Sequence, residues 1–186
     1  LRSRVSLGDL QLKRSDETAA RTTIRRREKA RFSRSIIEYF EARMLMAEGR
    51  WREAAEELER LRSAARRTAD LGKQLNLYLA ACYEQLGLPD RQLEIYQRLL
   101  AQEPSLLPAL IGQAAALFQS RKTDRALEEH ARLLRALGMA QFNRYRGLRN
   151  NYYQLLAGQV ARLPPALRDW SELERFVAAV EQLKDV

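Results

Sequence analysis

The chain has 186 residues, 46% of them hydrophobic and 31% charged, with a formal net charge of +9. That composition can bury a core and is not one of intrinsic disorder. A single Cys82 and a single His130 exclude an internal disulfide framework and the usual structural zinc sites, and no apolar run approaches the ~20 residues of a membrane helix.

Ala, Leu, Arg, Glu and Gln dominate, Gly and Pro number only 8 and 5, and strand-type alternation is nearly absent. These residues lose least on entering a helix, so an all-α chain is expected. In chain order, four segments of 34 residues follow one another: 1–34, 35–68, 73–106 and 107–140, with four additional residues, 69–72, between the second and third. In that register small residues align at Gly8, Ala42, Ala80 and Ala114. A second column runs Ala20, Ala54, Gln92 and Ala126, and a bulky one Ile24, Leu58, Tyr96 and His130. Three residues further on stand Arg27, Leu61, Leu99 and Leu133. Two helices joined by a short turn pack closely only if small residues meet at the crossing and bulky ones fill the sides.

The turns fall at Glu48-Gly49-Arg50, at Leu86-Gly87-Leu88-Pro89-Asp90 and, without glycine, at Ser120-Arg121-Lys122-Thr123-Asp124. Glycine ends the first helix in a left-handed conformation, and Pro89 or Asp90 starts the next. Pro104 marks a helix stop. Beyond 140 the register fades. Residues 142–162 read as one amphipathic helix, broken at Leu163-Pro164-Pro165, and 171–183 as another, entered through Asp169 or Ser171. This final part, 141–186, reads as a degenerate fifth repeat or a capping helical pair.

These columns resemble the tetratricopeptide repeat family, in the form of its bacterial arrays. The closest stretch runs from Leu79-Ala80-Ala81-Cys82-Tyr83-Glu84-Gln85-Leu86-Gly87 through Tyr96 to Pro104. Ala42, Gly49, Trp51, Ala54 and Leu58 carry the resemblance in the second segment, and Ala114, Leu117, Ala126 and Leu133 in the fourth. The first segment matches only through Leu7-Gly8 and Ala20. The resemblance implies a right-handed superhelical α-solenoid of antiparallel helix pairs, and a non-enzymatic protein-binding scaffold. It also implies a concave groove lined by the first helix of each repeat. The groove residues would be Tyr39, Arg43 and Met46, then Leu77, Ala81 and Glu84, then Ile111, Ala115 and Phe118. This largely apolar face suits a peptide or helix of a protein partner, and it lacks the Lys and Asn set of the family's carboxylate clamps.

No Gly-rich phosphate loop, paired Cys, His-containing metal motif or Ser elbow is present, so no catalytic, cofactor-binding or metal-binding residue is assigned. His130 shares a column with Leu58 and Tyr96, and a packing role is expected; Cys82 reads as a structural thiol. Arg52/Glu56 and Glu56/Arg60 are spaced for i,i+4 ion pairs. Positive charge concentrates at the start. Residues 1–34 hold 11 Lys or Arg and 4 Asp or Glu, a net of +7, against 22 and 20, a net of +2, in the rest. The densest run contains Arg25, Arg26, Arg27, Lys29 and Arg31. It offers an alternative reading, a nucleic-acid-associated or regulatory repeat, but it lacks the aromatic stacking groups such readers carry. A third reading is self-assembly of terminal repeats. The chain opens on Leu1 with no charged-then-apolar leader, as an excerpt or a processed product would. The reading leans to the cytoplasm, with the periplasm open if a signal lies upstream.

Overall fold

The computed structural model describes residues 34–64 and 69–183. The first repeat-like segment and the basic run at 25–31 lie outside the described residues, apart from Arg34. Every regular element described is helical: α1 (Arg34–Ala47), α2 (Trp51–Ala64), α3 (Ala69–Gln85), α4 (Pro89–Gln102), α5 (Leu107–Gln119), α6 (Thr123–Arg144), α7 (Arg146–Ala161) and α8 (Ser171–Gln182), with a 3-10 turn at Pro165–Leu167. The chain is thus all-α over its described residues. Two compact units meet in sequence at Ile95 and Tyr96, inside α4.

Three of the connections share one geometry. Arg50 N donates to Leu45 O and Gly49 N to Met46 O. Leu88 N donates to Tyr83 O and Gly87 N to Glu84 O. Lys122 N donates to Leu117 O and Arg121 N to Phe118 O. This bonding satisfies the last carbonyls of a helix and requires a left-handed residue at its centre. Gly49 and Gly87 take φ of 76° and 66°; Arg121 takes 55°, the only positive φ of a non-glycine among the described residues. Such a side chain costs about 1 kcal/mol relative to glycine.

Within the first unit α1 packs on α2 and α2 on α3. Ala42, Ala54 and Ala80 are fully buried there, and Leu58 and Leu61 lie in the core beside them. The residues 69–72 do not form a loop: they are helical and lie within α3. Four inserted residues add roughly one turn of 3.6, so the buried face of the helix keeps its direction.

Within the second unit α5 packs on α6 and α7, and α8 on α6 and α7. Its core gathers Ala114, Leu133, Phe142, Leu148, Tyr152, Leu156, Leu173 and Phe176. Phe142, Tyr152 and Phe176 meet edge to face, with ring centroids 5.0–6.3 Å apart. The expectation of one helix over 142–162 is corrected. Gly138, at φ 72° and ψ 159°, breaks the helical path within α6, and Tyr145, at φ −88° and ψ 84°, separates α6 from α7. Phe142 and Leu148 would stand about 120° apart on a straight helix, yet both enter this one core. The break at Tyr145 lets them do so. Before α8, Asp169 Oδ1 accepts from Ser171 N at 2.9 Å, and Trp170 takes the cap position.

Candidate functional site

In the first unit the expected groove residues sit on α1 and α3. Tyr39 is buried, Arg43, Met46, Leu77 and Ala81 are half-buried, and Glu84 is exposed. Polar bonds close part of this face. The Arg43 guanidinium lies 4.3 Å from the centre of the Tyr78 ring and donates to the hydroxyls of Tyr78 and Tyr39. The two hydroxyls approach to 3.5 Å. The cation is held over an aromatic face and bonded at its edge, an arrangement that fixes α1 against α3. Tyr78 was not among the expected residues. It falls in the 34-residue register with Phe40, an aromatic pairing that signals its importance.

A second feature of this unit is an open cleft of about 640 Å³ beside Tyr83, lined by Arg52, Ala55, Glu56, Glu59, Arg60, Leu86, Leu88 and Arg91. Tyr83 donates to Glu59 Oε1 at 3.0 Å. Burial foremost, and then the bond to Glu59, pushes the Tyr83 hydroxyl pKa up. Charges of both signs line the cleft and offset one another. The ion pairs on α2 differ from the i,i+4 spacing: Arg60 reaches Glu57 and Arg62 reaches Glu59, each three residues apart. Such exposed pairs add little stability.

In the second unit Ile111, Ala115 and Phe118 are half-buried on α5. Ile111 packs against the aromatic core, so it contributes to stability as well as to the face. Phe118 instead lines an open cleft of about 480 Å³ with Gln119, Arg121 and Thr123, with Gln154, Leu155 and Gly158 of α7 and with Arg162, which caps that helix. Arg162 donates to Thr123 Oγ1 at 3.1 Å, tying the end of α7 to the start of α6. Arg121 and Arg162 are exposed, and no carboxylate lines the cleft among the described residues. Its lining therefore combines an apolar ring and a leucine with amides and two guanidiniums. None of the α7 residues was expected from sequence, because their partnership with Phe118 needs α7 to pack on α5.

His130 and Cys82 are both fully buried. The burial pushes the Cys82 thiol up to about 11, which keeps it protonated and unreactive at neutral pH. His130 Nδ1 donates to Ala126 O at 2.7 Å, and the ring lies parallel to Tyr152 at 6.3 Å. Its Nε2 has no hydrogen-bond partner among the described residues. Burial lowers the His130 pKa below 6.5, against smaller opposing effects of the Ala126 carbonyl and Glu129. The folded chain thus resists protonation where the unfolded chain accepts it. Stability is fully present above about pH 6.5 and falls as pH drops toward the lower folded pKa. Urea unfolding followed from about pH 8 to about pH 5 should show this slope, and His130→Leu should flatten it.

Among the described residues no group of three His, Cys, Asp or Glu could hold a metal ion, and no helix is long and apolar enough to cross a membrane. In comparisons with known proteins, no family model and no curated protein matches the chain.

Proposed function

We propose that the chain is a tetratricopeptide-type scaffold, a solenoid of antiparallel helix pairs that binds a peptide or helix of a protein partner. The observation that carries this reading is the recurrence of one turn at 49, 87 and 121. Each turn has the same pair of closing hydrogen bonds and a left-handed residue at its centre. The spacing is 38 residues and then 34, and the four extra residues, 69–72, are helical within α3. Around these turns the small columns are buried: Ala42, Ala80 and Ala114, and Ala54 and Ala126, each at 0% exposure. A repeated helix pair buries its core against its neighbours and leaves one face for recognition.

Phe118 is the groove residue best placed to meet a partner, since it is half-buried beside an open cleft. A display library of random dodecapeptides panned on the immobilised chain tests this. Selected peptides should lose affinity by about tenfold or more with Phe118→Asp, while the unfolding midpoint stays near that of the parent chain. Selection that yields no binders, or binders indifferent to Phe118→Asp, would remove the groove reading. Ile111→Arg is a poor test, because Ile111 packs on the core and an arginine there would lower stability as well as change the face.

A further inference from the structure

Two residues that line the second unit's cleft are poor choices for stability. Arg121 holds φ at 55° where the two matching turns carry Gly49 and Gly87. A side chain strains the left-handed region, and glycine relieves that strain. Gly158 lies inside α7, where alanine would hold a helix better. A Cβ on Gly158 would meet nothing within 4 Å, so packing does not demand glycine there. Departures from local preference that packing does not require collect at functional sites. One of these two sets a guanidinium at the cleft, and the other keeps space open beside Leu155.

Charge complementarity then selects the occupant. Two exposed guanidiniums, Arg121 and Arg162, line the cleft with Phe118 and Leu155. Asp124, in the first turn of α6, is exposed and does not line it. The cleft also borders Thr123, where α6 begins, and a helix start adds positive potential. We propose that this cleft takes an acidic peptide segment of a partner protein. An apolar side chain of the segment enters over Phe118 and Leu155 beside Gly158, and a neighbouring Asp or Glu carboxylate is held by Arg121 and Arg162. The proposal rests on the scaffold reading above and names the partner chemistry of that groove. Arginine suits the role because its planar fork can meet a carboxylate with two bonds.

The test uses the full chain and two dodecapeptide display libraries, matched except that one replaces Asp and Glu with Asn and Gln. Binders should come from the acidic library and carry an apolar residue within one or two positions of a carboxylate. As free fluorescent peptides they should weaken by about tenfold with Arg121→Gly, the loss of one charged hydrogen bond. Arg162→Ala should weaken them similarly, and Gly158→Leu should abolish binding by filling the cleft. Arg121→Gly should melt at or above the temperature of the parent chain while binding less. A merely structural role for Arg121 cannot produce those opposite changes. Binders from both libraries that need Phe118 but ignore Arg121→Gly would overturn the acidic subsite and leave the groove reading standing. Binders indifferent to both Phe118→Asp and Gly158→Leu would overturn both. A fluorescent single-stranded oligonucleotide that binds and is lost with Arg121→Gly, while peptides are unaffected, would overturn the proposal in favour of phosphate.

Discussion

Phe142→Ala should destabilise the second unit by about 3–5 kcal/mol, the largest loss expected of any single truncation in this core. Phe142 is at 0% exposure. Its ring meets Tyr152 at 5.9 Å and Phe176 at 6.3 Å, edge to face in both cases. Removing it empties a site walled by two rigid rings, which collapse poorly around a void, and also removes two aromatic contacts of about 0.5–1.5 kcal/mol each. The position adds to the cost. Phe142 lies between the breaks at Gly138 and Tyr145, on a short helical segment with few neighbours of its own along the chain. Phe142 is the one buried residue of this segment, with Met139 and Tyr145 packed half-buried against the same core. Urea unfolding should show a lower midpoint with an unchanged slope, and amides of α6, α7 and α8 should lose hydrogen-exchange protection first. A loss under about 1 kcal/mol would mean that the aromatic trio is loosely packed and that other contacts hold the kinked segment.

Helical class and turn positions were legible in the sequence because both are local. Gly49 and Gly87 are the residues that a left-handed helix end favours, and the buried alanines recur at fixed spacing. The breaks at Gly138 and Tyr145 were not legible. Gly138 is followed by Met139-Ala140-Gln141, good helix formers, and the break at Tyr145, which lets Phe142 and Leu148 enter one core, is set by that core and not by a local residue signal. Arg121 was placed in a turn, but its left-handed backbone had no residue signal, since arginine is not selected for that region. The expected groove residues were assigned by register, which assigns a face but not its neighbours. Register could not show that Tyr78 captures Arg43, or that Phe118 meets Leu155 and Gly158, because both depend on which helices touch. The cleft was therefore half legible: Phe118 from the sequence register, its α7 wall from tertiary packing alone.

Gly112→Ala provides the sharpest test of packing between α4 and α5, because intrinsic propensity and tertiary contact give opposite signs. On a free helix alanine is better than glycine by about 1 kcal/mol. In this structure a Cβ on Gly112 would overlap Cζ and the hydroxyl of Tyr96 and lie 2.6 Å from Cε2. Tyr96 is itself buried, at 7% exposure, so its ring has little room to swing aside. Overpacking of this kind costs about 1–3 kcal/mol and outweighs the gain in propensity. Gly112 stands in the register position of Phe40 and Tyr78, and here the aromatic ring comes from α4 instead. A net loss of up to about 2 kcal/mol is therefore expected for Gly112→Ala. Tyr96→Leu alone should also destabilise, by shrinking a buried ring. The double variant should be better than the sum of the two by about 1 kcal/mol or more, since the new methyl fills space that the lost ring vacates. A double-mutant cycle from chemical denaturation measures that coupling. Additive losses, or a Gly112→Ala chain more stable than its parent, would show that the Tyr96 ring does not occupy the space above Gly112.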